Sequence, residues 1–118
     1  MPMYFNRKHS KVPPRKRRIP GTMNRTEERY AQLLESMKIN GEIWDWKFEA
    51  IKFILAPNTS YTPDFQVIYE DRCEFHEIKG FVREDAIAKF KVCAAKFPEF
   101  GFKMIKLEKG NWVTILEF

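Results

Sequence analysis

The sequence predicts a layered α/β (α+β) fold, a mixed β-sheet between helices, with elements in the order α-β-β-β-α-β-β. Three observations carry that expectation. Two segments repeat apolar residues at the helical period. Several shorter segments are apolar, aromatic and β-branched, as strands are. The second helical segment is flanked by strands on both sides. The 44% apolar and 15% aromatic content suits a chain with a packed core, and 118 residues suffice for one domain.

Residues 1–20 contain Arg7, Lys8, Lys11, Arg15, Lys16, Arg17 and Arg18 and no acid, a charge of +7. Pro13, Pro14 and Pro20 oppose a regular helix there. This stretch reads as a disordered tail suited to a polyanion, because each phosphate neutralised releases counterions. Residues 21–118 hold 14 basic against 16 acidic side chains, a net of −2, and read as the folded domain.

The stretch "NRTEERYAQLLESMKING" predicts the first helix over about 24–39. Asn24 with Glu27 three residues on makes a capping box, and Asn40-Gly41 is a stop. Ala31, Leu34 and Met37 or Lys38 continue the stripe that Glu27 begins, while Glu28 turns aside with Gln32 and Glu35. An acid on the inward side of a helix needs a partner or a purpose. "WKFEAIKFIL" (46–55) predicts a strand, "APNTSYTP" (56–63) a loop, and "DFQVIYE" (64–70) and "RCEFHEIKG" (72–80) two strands of a hairpin turning at Glu70-Asp71. "EDAIAKFKVCAAKF" (84–97) predicts the second helix, with Ile87, Phe90, Ala94 and Phe97 inward and Pro98 as its stop. Residues 101–110 and 111–118 supply the last strands, around Lys109-Gly110-Asn111.

No apolar run approaches the roughly 20 residues that cross a bilayer. The basic N-terminus has no apolar region behind it, so it does not read as a secretory signal. Cys73 and Cys93 lack CxxC spacing, so neither zinc nor a disulfide framework is expected, and a reducing, cytoplasmic setting fits.

Strand side chains alternate faces. Cys73, Phe75, Glu77 and Lys79 therefore share one face of their strand, and Arg72, Glu74, His76 and Ile78 the other. A hairpin turning at Glu70-Asp71 sets Asp64 opposite the Glu77–Lys79 end. Two carboxylates at close range repel unless a cation lies between them. Oxygen donors without softer ligands favour Mg²⁺ or Mn²⁺. Such an ion polarises a phosphoryl group and generates hydroxide, while an adjacent lysine serves the attacking water and offsets developing charge. Asp64, Glu77 and Lys79 are thus candidates for phosphodiester hydrolysis, with Glu27 a further ligand reaching in from the first helix.

Pro63-Asp64 followed by Glu77-Ile78-Lys79 resembles the PD-(D/E)xK nuclease motif, with Glu27 as its helical acid. "TEERYAQLLES", "YTPDF" and "EIKG", in that order, are similar to phage endonuclease I, the Holliday junction resolvases, over about residues 24–80. The resemblance implies a restriction-endonuclease-like core and Mg²⁺-dependent cleavage of DNA, with Mn²⁺ as a substitute. It implies metal held by Asp64, Glu77, Glu27 and the backbone carbonyl of Ile78, and use as a homodimer. The basic segment here is N-terminal, where that family carries its own at the C-terminal end. The alternative expectation is a non-catalytic nucleic-acid-binding module on a nuclease-like fold. His76 reads as a structural or surface residue, Trp44, Trp46 and Trp112 as core or edge packing residues, and Lys89 and Lys91 as either a solvated helix face or phosphate contacts.

Overall fold

The computed structural model describes residues 19, 21–80 and 84–118. The tail residues expected to meet nucleic acid, Arg7, Lys8, Lys11, Arg15, Lys16, Arg17 and Arg18, lie outside the described residues.

Helix α1 (Arg25–Ile39) starts at the expected capping box. The Glu27 N–H donates to Asn24 Oδ1 at 2.8 Å, and the Asn24 N–H donates to Glu27 Oε1 at 2.9 Å. These bonds satisfy backbone donors near the helix start that would otherwise lack partners. Glu27, Tyr30, Ala31 and Leu34 are buried, so the inward stripe is the expected one. The chain continues through β1 (Asp45–Phe48), β2 (Phe53–Ala56), β3 (Thr59–Tyr61), β4 (Phe65–Ile68) and β5 (Cys73–Lys79). Helix α2 (Glu84–Lys96), β6 (Gly101–Glu108) and β7 (Asn111–Glu117) follow.

The order is therefore α-β-β-β-β-β-α-β-β, and two expectations need correction. The single strand expected over 46–55 is broken into β1 and β2, because the backbone at Glu49 enters the left-handed region (φ 48°) and turns the chain out of the sheet. The Glu49 N–H donates to the Asp64 carbonyl at 2.8 Å, and its Oε1 accepts from the Gly21 N–H at 2.9 Å. The loop expected over 56–63 contains β3, which folds back on β2 through Asn58 at φ 60°. Asparagine tolerates that backbone better than most residues.

The main sheet has the order β1-β4-β5-β6-β7, and β2-β3 is a separate two-stranded sheet. All pairings are antiparallel except β5 with β6, which α2 connects as a crossover. Both faces of the main sheet are covered. On one, α1 packs Tyr30, Ala31 and Leu34 against Phe65, Val67, Ile78 and Ile105. On the other, α2 and the β2-β3 hairpin pack Phe53, Leu55, Phe90 and Cys93 against Phe75, Phe102 and Met104. Residues 75 and 78 of β5, and 104 and 105 of β6, fall in different clusters, as strand alternation requires. Cys73 and Cys93 are free thiols. Among the described residues no helix is long and apolar enough to cross a membrane.

Candidate active site

Strand β5 is the axis of the site. Its register with β4 pairs Phe65 with His76, so Asp64, one residue before β4, comes level with Glu77. The two acids meet as the hairpin geometry predicts. The Asp64 N–H donates to Glu77 Oε1 at 3.2 Å, and the Ile78 N–H donates to Asp64 Oδ2 at 2.9 Å. Asp64 is only 5% exposed, and Glu77 is half-buried. A carboxylate in that position is tolerable because protein donors replace the water it has lost. A strand residue turns its N–H and C=O to the same neighbour, so the Ile78 carbonyl lies on the side of Asp64. Lys79, half-buried, follows Glu77 by two positions on the same face, roughly 7 Å along the strand.

Tyr61 completes the group and was not singled out from the sequence. It ends β3, and its hydroxyl donates to Glu77 Oε1 at 2.7 Å. Burial, then the charges of Glu77 and Asp64 and the bond to Glu77, push its phenol far above the usual range, so it remains a donor. Its ring also meets Phe90 of α2 edge to face, with centroids 6.4 Å apart. The signal that pointed here was the "YTPDF" string itself, in which Tyr61 stands three residues before Asp64. Reading 56–63 as a loop hid the hairpin that aims it.

Glu27 is buried at 3% exposure, as the inward stripe requires. The bonds described for it are those of the α1 cap, to Asn24. Among the described residues no three His, Cys, Asp or Glu side chains gather in an arrangement that would hold a metal ion. The hydrogen bonds thus join Asp64 to Glu77 and Ile78, and Glu77 to Tyr61, while Glu27 is tied to its own helix cap. The donor set nonetheless suits a small divalent ion in kind: two hard carboxylates and a peptide carbonyl, with no thiolate or imidazole among them.

The opposite face of β5 carries a second polar group that faces α1. His76, 3% exposed, has Nε2 at 2.9 Å from Glu74 Oε1 and Nδ1 at 2.6 Å from the Tyr30 hydroxyl. An ionised carboxylate only accepts, so Nε2 bears the proton. Arg72 Nε donates to Glu74 Oε2 at 2.7 Å, and Lys103 Nζ lies 3.4 Å from Glu74 Oε1. Burial pushes the Glu74 carboxyl up, but the bonds from His76 and Arg72 and the Lys103 charge outweigh it and bring it down to about 2. Of the two expected roles, structural or surface, His76 takes the structural one, and it faces away from Glu77.

Other candidates separate clearly. Trp46 donates to Glu35 Oε1 at 2.9 Å and packs on Phe65, and Trp112 packs edge-on against Tyr30. Trp44 departs from the packing expectation and is 63% exposed. Lys89 Nζ donates to the Ser60 carbonyl at 3.4 Å, fastening α2 to the hairpin. A shallow groove of about 370 Å³ on the outer face of the hairpin is lined by Lys52, Ile54, Ala56, Asn58, Thr59 and Ser60, away from the carboxylate pair. No family model, curated protein or solved structure matches this chain.

Proposed function

We propose that the chain is a metal-dependent endonuclease that hydrolyses DNA phosphodiester bonds. The observation that carries this reading is the convergence of Asp64 and Glu77 from adjacent antiparallel strands, with Lys79 following on the face of Glu77. The two acids come level at one strand end, where Asp64 is buried and Glu77 half-buried, and carboxylates brought near each other favour a cation between them.

Asp64 and Glu77 would hold Mg²⁺ or Mn²⁺, with the Ile78 carbonyl on the same side. When bound, the ion polarises the scissile phosphoryl group and lowers the pKa of a water. The Ile78 N–H fixes the Asp64 carboxylate, and the Tyr61 hydroxyl fixes Glu77, so both are oriented before substrate arrives. Lys79 orients the attacking water and offsets charge gathering on the phosphate oxygens. Glu27, buried in the α1 cap, would serve as the additional acid, and the basic tail would hold backbone phosphates without reading sequence. Branched junctions are the finer substrate that this reading includes, and they require two cuts, which a two-fold dimer supplies.

The test is cleavage of labelled four-way junction, nicked, single-stranded and linear duplex DNA in Mg²⁺, Mn²⁺ or EDTA, by wild type and Glu77→Ala. Metal-dependent cutting that disappears in the variant supports the nuclease. Binding without cutting in either metal moves the non-catalytic nucleic-acid module to first place.

A further inference from the structure

The parallel pairing of β5 with β6 places Lys79 directly beside Lys106. In-register neighbours in a sheet point to the same face, and two positions back on each strand Glu77 and Met104 point there as well. Two ammonium groups thus stand on adjacent strands, whose axes are about 4.8 Å apart, at the carboxyl ends of the parallel pair. Like charges set side by side on neighbouring strands repel. Lys106 keeps 43% of its side chain exposed, so its head group is open to a ligand while its stem lies on the sheet. Glu108 Oε2, 3.4 Å from Lys106 Nζ, relieves some of the repulsion, but an ion pair this exposed is weak. The carboxyl ends of parallel strands are also where open α/β sheets receive ligands.

We propose that Lys79 and Lys106 together seat a phosphate oxygen of a nucleic-acid backbone, making Lys106 a substrate-contacting residue beside the Asp64–Glu77 pair. A phosphate between the two ammoniums converts their repulsion into two charge-assisted hydrogen bonds. It also holds the backbone next to the carboxylates. The assignment of that phosphate to a cleaved strand rests on the nuclease reading above; the anion seat itself does not.

The experiment is anisotropy titration of the full chain with a short labelled DNA duplex in Ca²⁺ over a series of salt concentrations. Lys106→Gln, Lys106→Arg and Lys38→Gln are compared with wild type. Lys38 is the control: its side chain is also 43% exposed, and its partner Asp45 pairs with Ile68, at the end of β4 away from Asp64. Lys106→Gln is expected to weaken binding and to reduce the slope of log affinity against log salt by up to roughly 0.9, the share of one phosphate contact, since Lys79 still faces that phosphate. Lys106→Arg and Lys38→Gln keep the wild-type slope. A Lys106→Gln slope equal to that of wild type overturns the seat, as does a wild type that does not bind. Wild type that cuts in Mg²⁺ while Lys106→Gln binds and cuts equally well overturns the seat alone. A Lys106-dependent slope in a chain that cuts nothing supports the seat and overturns the nuclease.

Discussion

Glu74 offers a test of how β5 is held in place behind the site. Its carboxyl titrates at 4.5 ordinarily and at about 2 in the folded chain. The difference is close to 2.5 pH units, and at 1.36 kcal/mol per unit it corresponds to about 3 kcal/mol of stability. The side chain is 7% exposed, so solvent screening removes little of it. A carboxyl whose folded value is depressed contributes fully above its unfolded value. That contribution is therefore present above pH 4.5 and is lost as the pH falls through about 2. Glu74→Gln keeps the shape and removes the titration. Denaturant unfolding of both proteins across this range should show the stability gap between them shrinking by about 3 kcal/mol from its value above pH 4.5. Other carboxylates titrate in both proteins and cancel in the difference. A gap that stays constant with pH would refute the view that His76, Arg72 and Lys103 hold Glu74 ionised.

Tyr61→Phe keeps the ring against Phe90 and deletes the donor to Glu77. Mn²⁺ affinity, read by paramagnetic resonance titration, should fall by about 10- to 100-fold, and equal affinity would show that Glu77 is oriented without this bond. Gly101→Ala would place a Cβ 2.9 Å from Glu74 Cγ, an atom in the middle of a buried, bonded side chain. The variant should lose about 1–3 kcal/mol in denaturant unfolding, and most of that loss should vanish in a Glu74→Ala background, where the clash has no partner.

The sequence made the helices and the carboxylate pair legible because their signals are local. The α1 cap is written in Asn24 and Glu27, and the Asp64–Glu77 approach follows from one hairpin turn and strand alternation. What escaped depended on contacts distant in the chain. The break between β1 and β2 is set by a left-handed Glu49, a conformation that its residue type does not announce, held by bonds to Gly21 and Asp64. The placement of Tyr61 depends on a short hairpin that loop-forming residues concealed. The burial of Glu74 was masked because both faces of β5 are covered, so alternation assigned faces without telling which was wet. Lys106 became visible only once the parallel register of β6 was known.

The β2-β3 hairpin belongs to no strand order of the main sheet, yet it supplies the hydroxyl that holds Glu77. It is seated by Phe53 and Leu55 in the α2-side core and by Lys96 Nζ donating to the Leu55 carbonyl at 2.6 Å. Mechanically, Tyr61 is a linkage between two bodies, and displacement along the hairpin is transmitted to the carboxylate. The alignment of the site is then set as much by how firmly that small ribbon sits on α2 as by the strands that carry the acids.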